Sequence, residues 1–495
     1  MSRFLSGAKK AQNKTTTHNG ALTLKSTQNS VLDFFSQADS MRGQDISKLF
    51  GNAFAENRAL ATAALFKLRD VRGGSGEREL FRKGLAQILD VDVDVFKKIF
   101  RFVPEYGRWD DLFQFVKHEE VGQEVTDFIL ESFELDISLL QQGNGPSLLA
   151  KWMPSENASS RKTHQLAAYF IGELGWSAAR YRKTLSALRA VLNIVERPMS
   201  ANKWDSINYS RVTSRAAKLY RKAFGRHDET RYKAFIEKAI KGEVKINSST
   251  LYPYEIVSKL RRSSDKTLEA LWNQLPDLIK DNDKRAIAVI DTSGSMESWS
   301  YYGGTSKDAP KSYSPYDVAM SLGLYFAERS KGPFKNHYIT FNSTAELNEL
   351  RGKSLYEKLK SVPCIYGSTN LQSVFNLILN TGIKNQLSND EMPNMIFILS
   401  DGEFNPASPG LTNFETIEKK YQAAGYEMPK LVSWRIAVHK EQAPATELQN
   451  NIFCVSGHSA AAFKSCIESK AVNPLGLMLE VLNSERYKPI VDALS

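Results

Sequence analysis

The sequence predicts a protein of two parts, an all-α helical array followed by an α/β doubly wound domain. From about Gln44 to Lys280, apolar residues recur at intervals of three and four, the spacing of amphipathic helices. After about Asp283, short apolar runs alternate with amphipathic segments instead. That alternation predicts a mostly parallel sheet covered by helices on both faces. The 495 residues and their 42% apolar composition are sufficient for several buried cores.

The N-terminal half is predicted as a tail and an array of helices. Residues 1–30 are rich in Ser, Thr, Asn, Gln and Lys and lack the apolar core of a secretion signal, so we expect a disordered tail. Residues 31–282 form the array, which is typical of HEAT-like repeats. Because no strict repeat is present, an irregular bundle is the alternative. Periodic segments predict helices over 79–89, 95–102, 111–117, 125–133, 163–175, 177–195, 214–224 and 232–240.

The C-terminal domain is predicted over residues 283–495. Short apolar runs predict strands, and amphipathic segments between them predict helices over 315–330, 371–380 and 413–424. In sheets of this kind the ligand crevice lies at the carboxyl ends of the strands, where the strand order reverses. The predicted strands are 286–291, 337–341, 395–400, 431–438 and 452–456.

Oxygen-bearing side chains cluster at the ends of two predicted strands. The predicted strand 286–291 ends in an aspartate, and the predicted strand 395–400 is directly followed by one. Hydroxyl residues follow the first of these strands and also precede the predicted helix that begins at residue 371. A set of oxygen ligands with few full charges suits a hard divalent cation, and we expect Mg²⁺. Such an ion keeps net positive charge and an open position for a carboxylate or phosphate of a partner. The proposed metal ligands are Asp291, Ser293, Ser295, Thr369 and Asp401.

This Asp-x-Ser-x-Ser pattern resembles the metal-ion-dependent adhesion site that opens a von Willebrand A-type domain. The resemblance implies that Asp291 and Asp401 lie close to the ion, one or both acting through water. The alternative is a degenerate domain in which the motif only packs its loops. A serine hydrolase is a poorer interpretation, because the chain has no Gly-x-Ser-x-Gly elbow and no identifiable histidine base.

Positive charge is concentrated in one segment of the array. The whole chain carries +10, whereas residues 151–245 hold 20 Lys and Arg against 8 Asp and Glu. Such a concentration predicts a polyanion partner, most commonly nucleic acid, and the alternative is a solvated helix face. Interleaved aromatics predict either base stacking or core packing. The candidate RNA-binding residues are Arg161, Lys162, Arg180, Arg182, Lys183, Arg189, Arg211, Arg215, Lys218, Arg221 and Lys222.

Two further motifs lie in the first helices. Arg69–Arg78 (RDVRGGSGER) resembles a phosphate cradle, but it follows a helix and lacks a Lys-Ser/Thr ending, which favours a tight interhelical turn. Tyr106–Leu112 (YGRWDDL) is interpreted as a helix cap that packs an aromatic ring at a helix junction, with direct RNA contact as the alternative.

These motifs, with AKWMP at 150–154 and YRKTLSALR at 181–189, resemble a widespread uncharacterised family of bacteria, phages and eukaryotes. That family is similar to the TROVE-module proteins, typified by the Ro ribonucleoprotein. The resemblance extends from about Asn29 onward. It implies a ring of HEAT-like helices with a basic surface, closed by an A-type domain, that binds small noncoding RNAs and the single-stranded ends of misfolded RNAs.

We therefore expect a noncoding-RNA-binding protein with a divalent-metal docking site that takes an acidic protein or a phosphate. The alternative is a metal-dependent protein-interaction scaffold without RNA. No acid–base pair, nucleophile or nucleotide loop predicts an enzyme. The separated cysteines Cys364, Cys454 and Cys466 predict a reducing cytoplasm, no apolar run suits a membrane span, and we expect a monomer.

Overall fold

The computed structural model describes residues 12–298, 313–363 and 366–495. It confirms the predicted fold class, a helical region followed by an α/β domain built on a six-stranded sheet. Cys364 lies outside the described residues, whereas Cys454 and Cys466 are buried free thiols.

The first part of the described chain is a two-stranded hairpin followed by helices. The hairpin pairs β1 (Lys14–Thr16) with β2 (Leu22–Leu24) in antiparallel orientation. The helices are α1 (Ser30–Gln37), α2 (Ser47–Glu56), α3 (Arg58–Arg69), α4 (Glu79–Val91), α5 (Val93–Ile99), α6 (Val103–Tyr106), α7 (Gly122–Gln141), α8 (Leu149–Trp152), α9 (Arg161–Glu173), α10 (Ala178–Val191), α11 (Glu196–Ser200), α12 (Ser214–His227), α13 (Glu229–Ile240), α14 (Pro253–Leu260) and α15 (Lys266–Asn273). Short 3₁₀ turns lie at Ala38–Ser40, Phe100–Phe102, Trp109–Asp111, Trp204–Ser206 and Tyr209–Arg211.

The α/β domain follows in alternating strands and helices. Its strands are β3 (Ala286–Asp291), β4 (His337–Phe341), β5 (Ala345–Glu349), β6 (Met395–Ser400), β7 (Lys430–Arg435) and β8 (Ile452–Ser456). Its helices are α16 (Ser295–Ser298), α17 (Pro315–Arg329), α18 (Leu355–Ser361), α19 (Leu371–Lys384), α20 (Asn413–Ala424), α21 (Ala461–Glu468), α22 (Pro474–Leu482) and α23 (Lys488–Asp492), with a 3₁₀ turn at Gly332–Phe334.

The strand order is β5-β4-β3-β6-β7-β8, parallel except for the antiparallel edge strand β5. The chain runs from β3 outward to one edge and then returns to β6 and runs to the other. The order therefore reverses between β3 and β6, which are direct neighbours. Alternate residues of β3 enter two separate apolar cores: Ile290 packs under α17 on one face, and Val289 packs with α19 and α20 on the other.

The helical region does not form a single core. Helices α1 to α10 share one apolar core, whereas the apolar residues of α12 to α15 join the core on one face of the sheet. The contact between α14 and α17 is one of the most extensive between helices in the molecule. The second half of the predicted array is therefore packed onto the α/β domain.

The predicted disordered tail is wrong for residues 12–30, which the structure describes as ordered. The hairpin packs on the α/β domain: Thr17 Oγ1 donates to Phe404 O at 2.8 Å, and Leu24 and Ala443 exchange two backbone hydrogen bonds. Residues 1–11 lie outside the described residues. Residues 12–30 owe their order to these contacts with loops of the other domain and to Ala21, which is buried in the core under the sheet.

The last helices of the α/β domain return to the first helices of the chain. Helices α22 and α23 pack against α3, and Met478, Leu482 and Ile490 belong to the core of α1 to α10. Arg486 seals this junction with two hydrogen bonds to the Asp70 carboxylate, at 2.9 and 3.0 Å. The α/β domain thus contributes apolar residues to the helical core.

The two helical motifs have structural roles. The Arg69–Arg78 segment is a tight turn between α3 and α4, as the sequence favoured. The predicted helix over 111–117 is wrong, because the chain there forms the 3₁₀ turn Trp109–Asp111 and further turns. The physical reason is Asp111, whose fully buried carboxylate is held at 2.8 Å by Arg69 and at 2.7 Å by Arg82. That ion-pair cluster fixes the turn.

Candidate functional site

The main candidate site lies at the carboxyl edge of the sheet, where the strand order reverses. Ile290 of β3 pairs with Leu399 of β6, so the two strands end side by side. Asp291 closes β3, and Asp401 follows Ser400 at the end of β6. Both aspartates are fully buried. The topology alone therefore brings two carboxylates from distant parts of the sequence together.

Asp291 is held in place from both sides. Its Oδ1 accepts a hydrogen bond from the Ser293 backbone N at 2.9 Å, and its Oδ2 accepts one from Ser400 Oγ at 2.5 Å. Burial and the neighbouring charge of Asp401 raise its pKa to about 7. A buried carboxylate with its pKa raised in this way gains stability from any nearby cation.

The pKa of Asp401 is shifted in the opposite direction to that of Asp291. Burial would raise its pKa, but hydrogen bonds from His439, the Glu403 backbone and Ser295 outweigh burial and lower it. The His439 Nε2 lies 3.3 Å from Asp401 Oδ2, and this contact raises the pKa of His439. The pair of aspartates therefore combines an ionised Asp401 with an Asp291 whose ionisation is opposed.

Hydroxyl groups complete the predicted set. Ser293 Oγ and Ser295 Oγ are 3.2 Å apart, and Ser293 is buried. The loop carrying Thr369 reaches the same edge, because the Gly294 backbone N lies 3.5 Å from Gly367 O. Gly367 has a φ of 100°, and a Cβ there would lie 2.6 Å from Ser343 Oγ, so only glycine suits this turn. All five predicted metal-ligating residues lie at one edge of the sheet.

The chemistry of this group fits a hard divalent cation. Two buried carboxylates repel each other, and the three hydroxyls add neutral oxygen donors. Across the described ranges, no group of three or more His, Cys, Asp or Glu side chains is arranged to hold a metal. Ligation at this edge would therefore rely on Ser293, Ser295 and Thr369 as much as on the carboxylates.

The sequence patterns missed three residues of the site. Ser400 supports Asp291, and its position directly before Asp401 at a strand end was a usable signal. His439 pairs with Asp401 but lies beyond β7, and nothing in the sequence indicates that contact. Asn19 belongs to the supposed tail. Its Nδ2 lies 2.5 Å from Glu403 O and 3.4 Å from Thr369 Oγ1.

The hairpin tip therefore covers part of the rim of the site. Besides Asn19, the His18 backbone N donates to Glu403 Oε2 at 2.5 Å. Glu403 is itself buried and also accepts a hydrogen bond from Gln442 Nε2 at 3.1 Å. Residues 12–30 thus help to position the loop that carries Asp401.

The basic segment is arranged differently. Eight of the eleven predicted RNA-binding residues are exposed: Arg161, Lys162, Arg180, Arg182, Lys183, Arg211, Arg215 and Lys222. Arg182 pairs with Glu156 at 2.7 Å, and Arg215 lies 3.9 Å from Glu255. Within the described part of the chain, the other six form no ion pair. Their charge is available to a partner.

The remaining three predicted RNA-binding residues are corrected by the structure. Lys218 is buried in an ion pair with Glu255. Arg221 is mostly buried and donates to Asp265 at 2.8 Å. Arg189 donates to Ala150 O, Met153 O and Ser155 Oγ at 2.7–2.9 Å. Each of these cations is committed to holding neighbouring segments together, because its charge or its donors are already satisfied within the protein.

The interleaved aromatic residues mostly form the core. Tyr181, Tyr209, Phe224 and Tyr232 are buried. The half-buried Trp204 stacks on His227, with ring centroids 4.4 Å apart and an interplanar angle of 8°. The guanidinium of Arg180 lies 4.0 Å from the centroid of the Trp176 ring. Core packing is therefore the role of most of these rings.

Among the described residues, no helix is both long enough and apolar enough to cross a membrane.

Two family models match the chain, and both describe domains of unknown function. One, DUF7788, covers residues 285–486, which correspond to most of the α/β domain. The other, DUF2828, covers residues 17–89 and 173–292, which correspond to β2, the first helices and the later helices up to β3. The two matches meet at β3.

The chain is also similar to individual proteins over most of its length. The uncharacterised protein L728 of Acanthamoeba polyphaga mimivirus is 28% identical over 518 residues, with 96% of this chain and 88% of the relative covered. The crystal structure of the Deinococcus radiodurans RO (RSR) protein aligns with 93% of this chain and 100% of its own, at 14% identity and a TM-score of 0.45.

Proposed function

We propose that this protein binds noncoding RNA through its basic helices and carries a divalent-metal docking site at the carboxyl edge of its sheet. The observation that carries the proposal is the group of six exposed cations without ion pairs among the described residues: Arg161, Lys162, Arg180, Lys183, Arg211 and Lys222. Cations that are not neutralised within the protein attract the phosphates of a polyanion. The resemblance of the helical motifs to TROVE-module proteins supports the same conclusion.

RNA binding is tested by charge reversal. A variant with Arg161, Lys162, Arg180 and Lys183 changed to Glu should bind small structured RNAs at least tenfold more weakly than the parent, with a shallower dependence of log Kd on log salt. Binding is measured by filter retention or fluorescence anisotropy at several salt concentrations.

A matched control separates local from overall charge. Changing four exposed lysines elsewhere (Lys48, Lys83, Lys353 and Lys384) to Glu alters the net charge equally and should leave most of the affinity. Equal binding by the parent and the first variant overturns the proposal. Nuclease-sensitive 260 nm absorbance in protein purified from cells is an independent check, and sequencing that nucleic acid would identify the RNA.

The metal site is tested through stability. A cation that binds only the folded state stabilises that state, and it therefore raises the melting temperature as its concentration exceeds its Kd. The parent should therefore melt at a higher temperature with Mg²⁺ than with chelator, and an Asp291→Ala, Ser293→Ala double variant should lose this difference. The exposed Asp45 and Ser47, which have the same Asp-x-Ser local hydrogen bonds, provide the matched control pair. A double variant that keeps the parent's response contradicts the proposal.

A second function is a metal-dependent scaffold that grips an acidic side chain of a protein partner. The observation that favours it is Tyr366, which is 78% exposed directly before the Gly367–Thr369 loop of the site. An exposed aromatic ring beside a metal is a suitable contact for a partner protein. Protein that purifies free of nucleic acid but retains a Mg²⁺-dependent protein partner would favour this scaffold.

A further inference from the structure

A pair of stacked rings lies at the surface of the basic segment, where the end of α12 meets the 3₁₀ turn Trp204–Ser206. The indole of Trp204 and the imidazole of His227 are nearly parallel, with ring centroids 4.4 Å apart and an interplanar angle of 8°. Trp204 is half-buried, whereas His227 is exposed. Because Trp204 covers one face of the imidazole, the other face of His227 is turned towards solvent.

Trp204 is fixed beneath this stack by several contacts. Its Nε1 donates to Asn202 Oδ1 at 2.7 Å, and its ring packs edge-to-face with the buried Phe224. Its carbonyl oxygen accepts a hydrogen bond from Arg231 Nη2 at 2.7 Å. The indole therefore has one orientation, and it holds the imidazole that stacks on it.

The imidazole of His227 has no further partner in the part of the chain that the structure describes. Its nitrogens form no hydrogen bond or ion pair there, and Trp204 is its one ring contact. A side chain that is already held in one orientation loses little more conformational entropy when a ligand stacks on it. The free face is therefore a pre-organised surface for another flat ring.

Positive charge surrounds the stack. Each of the two rings is directly preceded in sequence by an exposed cation, and a third exposed cation lies one helical turn earlier on α12: Lys203, Arg226 and Lys222. None of the three forms an ion pair with another described residue. Residues 197–231 hold nine Lys and Arg against three Asp and Glu. Of these acids, Asp228 is held by Arg231 at 2.6 Å, and Asp205 and Glu229 are exposed.

We propose that the free face of His227 is a stacking site for one unpaired nucleobase of the bound RNA. The base extends the stack of Trp204 and His227 by a third ring, while phosphates on either side of it meet Lys203 and Arg226. This inference rests on the proposed RNA binding and deepens it. Exposed cations attract any polyanion, whereas a ring face accepts only a base that is not stacked inside a duplex. The site would therefore favour unpaired over paired RNA.

Binding of short RNAs to the full chain tests the site. The probes are a fluorescein-labelled oligoadenylate of about 12 nucleotides and a blunt RNA duplex of the same length and of mixed sequence. His227→Ala should bind the single strand at least about fivefold more weakly than the parent, because one base loses its stacking partner. The same variant should bind the duplex as the parent does, since no phosphate contact is removed.

Two more substitutions separate stacking from charge. His227→Phe keeps a ring and should bind the single strand within about twofold of the parent, whereas His227→Lys keeps a cation without a ring and should not recover the affinity. The slope of log Kd against log salt at pH 8 should be equal for the parent, His227→Ala and His227→Phe. His164→Ala removes an exposed histidine beside the cations of α9 and should leave the affinity of the parent.

A strand that contains 2-aminopurine reports stacking directly, because the fluorescence of this base falls when it stacks on another ring. At saturation, the fluorescence should fall less with His227→Ala than with the parent. Equal single-strand affinity of the parent and His227→Ala, equal weakening on the duplex, or a His227→Phe variant as weak as His227→Ala overturns the stacking site and leaves the proposed RNA binding intact. A parent that binds neither RNA overturns both.

Discussion

The sheet edge and the basic helices hold their polar groups in opposite ways. At the sheet edge, Asp291 and Asp401 are fully buried, and each oxygen is directed by a specific neighbour. On the segment 161–222, most cations are exposed, and six make no ion pair with another described residue. The difference teaches that the first region depends on the placement of a few atoms, whereas the second depends on the sum of its charges. Single substitutions should therefore matter far more at buried groups than on the exposed helices.

The largest expected effect separates a buried cation of the basic segment from an exposed one. Lys218→Met should lower the free energy of unfolding by about 3 kcal/mol, because it leaves the buried Glu255 carboxylate without its nearest partner. Lys222→Met, one helical turn away and exposed, should change it by less than about 0.5 kcal/mol. Urea unfolding measures both, and similar values for the two variants would contradict the distinction.

The same ion pair gives a signed pH dependence. Burial alone would raise the pKa of Glu255, but the charges of Lys218 and Arg215 outweigh burial and lower the pKa to about 2. The stabilisation is therefore complete above about pH 4.5 and is lost as the pH falls towards 2, by on the order of 3 kcal/mol. Between pH 5 and pH 2 the parent should lose more stability than Lys218→Met.

The next effect tests how much the site at the sheet edge depends on a single hydrogen bond to Asp291. Ser400→Ala removes the hydroxyl that donates to Asp291 Oδ2, and a hydrogen bond to a charged group is worth about 1.5–3 kcal/mol. We expect a loss of about 2 kcal/mol in unfolding free energy with Mg²⁺ present, together with a weaker Mg²⁺ response. Ser373→Ala, which removes only a helical hydroxyl bonded to Asn370 O, is the control.

A third pair of variants separates stability from binding within the basic helices. Arg189→Ala should reduce unfolding free energy by about 2 kcal/mol, since three acceptors lose their donor. Arg180→Ala should leave stability nearly unchanged and lower the salt slope of RNA binding by about 1. If the effects of the two variants were reversed, the division between structural and available cations would be wrong.

The smallest effect concerns the hairpin. Asn19→Ala removes the contacts to Glu403 O and Thr369 Oγ1 and should cost about 1 kcal/mol. Hydrogen exchange at residues 403–405 should also accelerate. Asn208→Ala, at an exposed turn remote from the sheet, is a control for the substitution itself. Unchanged exchange would show that the hairpin does not position this loop.

An element could be predicted where the local sequence determines it, and it could not where contacts with distant parts of the chain do. Buried strands such as β3 and β6 are continuous apolar runs, so their bounds and the aspartates that end them follow from local sequence. The edge strand β5 was missed because Ala345–Glu349 carries two acids and pairs on one side only. Residues 12–30 were missed because their order comes from contacts with loops some 380 or more positions away, as between Thr17 and Phe404.

The exposure of the basic residues could not be derived for the same reason. Lys218 and Lys222 lie on one helix and look alike in sequence, but only Lys218 faces the buried Glu255. Helical periodicity shows which residues share a face, and it does not show which face meets another domain. The role of His439 could likewise not be predicted from the sequence, because its contact with Asp401 depends on the parallel pairing of β6 and β7.

The return of α22 and α23 to α3 has a consequence for how the molecule is made. The hydrogen bond between Arg486 and Asp70 spans 416 positions of the chain. At about 5–20 residues per second, a ribosome needs roughly 20–80 s to travel from one partner to the other. Throughout that interval the nascent helices lack the apolar side chains that close their core. Chaperone occupancy during translation should therefore persist until residues 474–492 emerge, and a truncation before them should aggregate rather than fold.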